Sequence, residues 1–100
     1  MSAAVKVGCV NGDFSYSDQL CELKRGDVVE ITSEQGYPIA VHIGWKTPFN
    51  KGRDRAPAGE KIELTVLSDA IPGEYKYLVA VYEPKKDKIW TDDPYFIIKP

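Results

Sequence analysis

The chain has 100 residues, 43% hydrophobic and 28% charged, the make-up of one ordinary globular domain spanning residues 1–100. A formal charge of -2 argues against a protein that works by neutralising phosphates, so nucleic acid is not an expected partner. No apolar run approaches the roughly 20 residues that cross a bilayer, which argues against a membrane role.

The chain opens with alternation: Val5, Val7 and Cys9 are set against Lys6 and Gly8. Asn11-Gly12-Asp13 reads as a turn, and Phe14 and Tyr16 then alternate with Ser15 and Ser17. Residues 17–23 have room for one helical turn at most. Lys24-Arg25-Gly26-Asp27 is a polar turn before the alternating run that holds Val29 and Ile31. From Ile39 to Trp45 one strand is expected, with Ile39, Val41, Ile43 and Trp45 on one face. Residues 46–59 read as a long loop. Glu60 to Leu67 is a strand with Ile62, Leu64 and Val66 on one side. Pro72-Gly73 closes a loop before the longest expected strand, Glu74 to Tyr82, whose Tyr75, Tyr77, Val79 and Val81 share the core face. A charged hairpin turn covers Pro84 to Lys88, a return strand starts over Ile89 to Thr91, and Asp92-Asp93-Pro94 reads as a turn before Tyr95 to Lys99.

Period-two alternation in short segments, punctuated by Gly, Pro and Asp, predicts an all-β fold: an antiparallel two-sheet Greek-key sandwich of about seven or eight strands. There is no internal repeat and no low-complexity segment.

Three stretches, in order, resemble the cupredoxin (blue-copper) family. Phe14 to Thr32, FSYSDQLCELKRGDVVEIT, is similar to the opening of small blue-copper domains. Val41 to Gly44, VHIG, places His42 near the first copper-binding histidine. Ala56 to Val79 carries APAGEKIELTV and IPGEYKYLV, similar to the Gly-Glu strand entry and the Pro-Gly-x-Tyr-x-Tyr approach to the copper cysteine. The likeness spans residues 5 to 82 and implies a cupredoxin-like sandwich. An immunoglobulin-like sandwich shares the Gly-x-Tyr feature, here Asp69, Gly73 and Tyr75, and is the alternative fold.

The departures bear on function. Val79 stands where the family has its cysteine, no histidine follows it, and Met1 is the sole methionine. A blue-copper site needs two imidazoles and a thiolate, and the chain has one histidine. The resemblance therefore implies the scaffold without copper or electron transfer, and no cofactor is expected. The two cysteines, Cys9 and Cys21, do not fit zinc-ligand spacing; they are expected as reduced, buried small hydrophobes. The N-terminus carries no secretion signal, so the chain as written is expected in the cytoplasm. An exported domain whose signal peptide has been removed would look the same.

No catalytic motif is present, and a non-enzyme is expected. His42 reads as a strand histidine hydrogen-bonded at the sandwich end. Asp92 and Asp93 are neighbours on an extended chain, so their carboxylates diverge. Tyr75, Tyr77, Tyr82, Trp90 and Tyr95 would suit a carbohydrate platform, but alternating aromatics are more often packing. The segment KTPFNKGRDRAPAG is the most suggestive. It sets Lys46, Lys51, Arg53 and Arg55 around Phe49, beside Trp45, so that cations would ring an apolar centre. These six residues are the candidate partner-binding set. The expected function is a non-enzymatic binding or interaction module for an unidentified protein or small ligand. The alternative is an assembly subunit of immunoglobulin-like type joined through strand edges. Oligomeric state is left open.

Overall fold

The computed structural model describes residues 2–18 and 20–100, with Leu20 described by its backbone alone. Strands follow one another: β1 (Ser2–Val10), β2 (Asp13–Tyr16), β3 (Leu20–Leu23), β4 (Val28–Ser33), β5 (Ile39–His42) and β6 (Arg53–Ala56). Then come β7 (Ile62–Thr65), β8 (Gly73–Lys76), β9 (Leu78–Glu83), β10 (Lys88–Asp92) and β11 (Tyr95–Ile98). No helix occurs among the described residues. The segment with room for a helical turn, in which Gln19 lies outside the described residues, runs into β3 instead.

One layer has the order β2-β1-β4-β7; the other is built from two sheets, β10-β9-β5-β6 and β3-β11-β8. A single long hairpin joins those two. Glu83 faces Lys88 and Val79 faces Asp92; further along, Lys76 faces Tyr95 and Gly73 faces Ile98, with no slip in register. Between the two parts the Tyr77 amide donates to the Pro94 carbonyl at 3.0 Å. Pro94 has no N–H to return the bond. The expected strand Glu74 to Tyr82 is thus divided at Tyr77. Asp92-Asp93-Pro94 is an interruption of one ladder rather than a turn. Two pairings, β1 with β4 and β3 with β11, run parallel, a departure from the wholly antiparallel expectation.

Alternation drives the layers together. Val5, Val7, Val29, Ile31, Ile62 and Leu64 face inward from the first layer; Ile39, Val41, Val79, Val81, Phe96 and Ile98 face inward from the second. Tyr77 stacks on Phe96 with ring centroids 4.2 Å apart, and Phe49 meets Phe96 edge-on at 4.9 Å. Burying a side chain such as Phe96 contributes about 1.5–3 kcal/mol. Tyr75 is only half-buried, so the four-residue core face expected along this strand is complete from Tyr77 onward. The Tyr16 hydroxyl donates to Asp92 at 2.6 Å and ties β2 of one layer to β10 of the other.

Two segments depart from their expected form. The strand from Ile39 stops at His42, because the backbone turns through Gly44 at φ +95° and Lys46 at φ +61°. Ile43 and Gly44 both donate to the Gly52 carbonyl, at 2.8 and 3.0 Å, closing the turn. Trp45 leaves the expected inward face and is 90% exposed. The expected loop 46–59 contains β6, which pairs antiparallel with β5. Its start is stitched to the end of β7: the Asn50 amide donates to Thr65 at 2.9 Å and the Leu67 amide to Pro48 at 2.8 Å. That stitching carries Phe49 into the core, where it is 1% exposed.

Candidate functional site

Residues that alternate inward on β5 and β9 leave their neighbours outward. The outward set is Ala40 and His42 on β5, Leu78, Ala80 and Tyr82 on β9, and Arg53 and Arg55 on β6. Register arranges them in cross-strand rows. Arg55 faces Ala40, Ala40 faces Ala80, and Ala80 faces Thr91 of β10. Beside that row, Arg53 faces His42 and His42 faces Leu78; on its other side Tyr82 faces Ile89. Two alanines at the centre make a low floor between taller rows. A cleft of about 510 Å³ lies over Ala40, Ala80, His42, Leu78, Arg53 and Arg55, with Val41 and Asp54 also in its lining. A second, of about 580 Å³, lies over Ala40, Ala80, Arg55, Pro38, Tyr82 and Ile89. They share Ala40, Arg55 and Ala80, so together they form one trough that crosses the strands.

The electrostatics of this face come from β6. Asp54, between the two arginines, turns to the opposite side. It accepts from Lys51 Nζ at 3.0 Å and from the Arg55 amide at 2.8 Å. These bonds, Lys51 foremost, hold its carboxyl below the usual carboxylate range. Among the described residues neither Arg53 nor Arg55 forms an ion pair, and both are exposed.

The six residues singled out in the sequence are thus divided. Arg53 and Arg55 sit on the trough; Lys51 is bonded to Asp54. Trp45 and Lys46 form the tip of the neighbouring turn, with Lys46 Nζ 5.0 Å from the Trp45 ring centroid. Gly44 joins this turn to the trough, since a Cβ built there would lie 3.5 Å from His42 Cε1. Phe49 is a core residue and offers no surface. The sequence reading missed Ala40, Leu78, Ala80, Tyr82 and Ile89; two alanines at outward positions of adjacent strands were the available signal. The five aromatics of the last strands share no platform: Tyr77 is in the core, while Trp90 is half-buried and donates to Glu83 at 3.0 Å.

A blue-copper ion would require two imidazoles and a thiolate directed to one point. Val79, at the position of the family's thiolate, is fully buried between the layers. His42 projects from the opposite, outward face of β5 and makes no side-chain hydrogen bond among the described residues. The expected bond at the sandwich end is therefore absent from that face. Cys9 lies on β1 and Cys21 on β3, both buried and not joined by a disulfide. Burial raises both thiols, Cys21 to about 12, which disfavours the thiolate a metal requires. Met1 lies outside the described residues. Among the described residues no three His, Cys, Asp or Glu side chains group as metal ligands. The residues present do not fit the copper site of this fold. No helix among them is long and apolar enough to cross a membrane.

No protein-family model matches the chain, and no curated protein matches it. Solved structures do. A purple cupredoxin from Nitrosopumilus maritimus superposes with a TM-score of 0.62 at 16% identity, covering 97% of this chain and 99% of that one. Pseudoazurin from Methylobacterium extorquens AM1 gives 0.58 at 14% identity, covering 98% of this chain and 75% of that one. A reduced amicyanin variant gives 0.56 at 15% identity, covering 96% and 82%. These neighbours favour the cupredoxin resemblance over the immunoglobulin-like alternative: the chain is a β-sandwich with the cupredoxin fold.

Proposed function

We propose that this chain is a non-enzymatic binding module whose recognition surface is the outward trough of β6-β5-β9-β10, with the Trp45 turn beside it. The observation that supports this reading is the alanine-floored trough flanked by two arginines without ion pairs. An outward sheet face has no packing demand for small residues at its centre. Concave surfaces with an apolar floor and a few polar groups at the rim are where ligands bind. Trp45, 90% exposed, supplies a large apolar side chain of the kind that anchors interfaces.

The test is selection of a phage-displayed random dodecapeptide library on the wild-type protein and on Ala80→Trp, which fills the floor. Near-UV circular dichroism checks that the variant is folded. Clones enriched on wild type are expected to bind Ala80→Trp at least about tenfold more weakly, as loss of a central contact implies. Clones that bind both proteins equally would place recognition elsewhere.

A further inference from the structure

We infer that the trough takes a short extended segment of a partner protein, lying across the strands with a carboxylate at its Arg53–Arg55 end. This rests on the binding-module reading and adds the chemistry and direction of the occupant.

The direction follows from register. The floor of the trough follows Arg55, Ala40 and Ala80, a row that register continues to Thr91 on β10, one residue from each of four neighbouring strands. Strands lie about 4.8 Å apart, so the row is about 14 Å long, the span of about four extended residues. Taller rows on either side, with Leu78 in one and Ile89 in the other, confine a chain to that line. Both are exposed, Leu78 at 46% and Ile89 at 69%. Their apolar side chains suit aliphatic groups of a segment lying over the alanines.

The chemistry follows from charge. The arginines are two apart on one face of β6, so their stems are about 6.6–7 Å apart and their guanidinium forks can converge on one carboxylate. Asp54, which also lines the cleft, is paired with Lys51, and among the described residues neither arginine forms an ion pair with it or with any other carboxylate. A guanidinium binds a carboxylate through two parallel bonds, which gives geometry as well as attraction. Toward β10 the trough is bordered by Ile89, which carries no charge, so the charge demand is one-sided and polarises the occupant.

Docking on the face is favoured over pairing at the edge. The Ile43–Gly52 bond sets the hydrogen-bonded phase of the β5–β6 ladder, in which Asp54 and Ala56 bond inward and Arg53 and Arg55 point their backbone groups to the free edge. The Arg55 amide on that edge is already taken by Asp54 Oδ1 at 2.8 Å. An added strand would have to break it.

The experiment carries the peptide selection further. Enriched clones are sequenced, and their binding is compared on wild type, Ala80→Trp and the double variant Arg53→Ser/Arg55→Ser. The consensus peptide and its Glu→Gln or Asp→Asn counterpart are then titrated across a salt series. Expected are acidic residues at one end of the consensus, small or aliphatic ones after them, and affinity that falls with salt. The double variant and the amide peptide should each bind at least about tenfold more weakly, with a flatter salt dependence. Trough-dependent clones without acids, indifferent to the double variant, would overturn the carboxylate inference while leaving the binding module standing. Clones that bind Ala80→Trp as well as wild type would overturn both.

Discussion

The two faces of β5 and β9 come from one alternation on the same strands, yet they are under different physical constraints. Inward, Ile39, Val41, Val79 and Val81 are all at most 3% exposed, and their branched side chains fill the space between layers. Outward, Ala40 and Ala80 form the shared floor of two open clefts. The inward face is fixed by packing density, where each lost methylene is felt. The outward face has no such constraint, so its shape is free to serve a partner. Stability and recognition should therefore respond to different substitutions, and the contrast can be broken or sharpened by experiment.

The largest effect belongs to the inward side. Tyr77→Ala removes a ring stacked on Phe96 at the junction of β8 and β9 and is expected to cost about 3–5 kcal/mol in urea unfolding. Phe49→Ala should fall in the same range, because Phe49 fills the core from a loop. A loss below about 1 kcal/mol for Phe49→Ala would mean that the segment is not pinned there, and would return its ring to the surface.

Next in size is an alkaline limb of stability. Burial lifts the Cys21 thiol from 9.0 to about 12, while the unfolded chain releases that proton near pH 9. The unfolded state thus binds fewer protons between these values. Stability should be fully present below about pH 9 and fall as pH rises toward 12. Tyr77, also raised by burial from 10.0, acts in the same direction. Urea midpoints across this range should fall less steeply for Cys21→Ala than for wild type. Parallel limbs would remove Cys21 from the account.

On the outward side the expected effect on stability is small. Ala80→Trp should shift unfolding by no more than about 0.5 kcal/mol, because it adds volume toward solvent rather than into the core. A loss as large as that of Tyr77→Ala would mean that the trough is part of the packed structure, and the contrast between faces would fail. The smallest response is expected from copper(II). Titration should give no intense thiolate-to-copper absorption, since Val79 offers no sulfur and His42 faces away from it. A stoichiometric blue complex would show that the donors rearrange.

Much of the fold was legible because strand burial repeats every two residues. Val5 and Val7, Val29 and Ile31, Ile62 and Leu64 announced their strands and their inward faces without any neighbour being known. β6 did not, because Arg53-Asp54-Arg55 has the composition of a solvated loop. It is a strand only because β5 offers it a ladder. Phe49 was misplaced for a related reason: bonds from Asn50 and Pro48 to the end of β7 decide where its ring goes. Of the candidate site, sequence exposed the arginines and Trp45, whose residue types speak for themselves.

By itself the sequence determined the alternation, hence the class of fold, and the donor atoms available for chemistry, since one histidine and a valine at position 79 hold in any conformation. Only the tertiary structure decided the trough. Alternation says which face a side chain takes; it does not say which residue lies beside it on the next strand. Arg55, Ala40, Ala80 and Thr91 become a row through three registers, each set by pairing between separate segments of chain. A slip of one residue in any of them would turn one member to the other face and close the row.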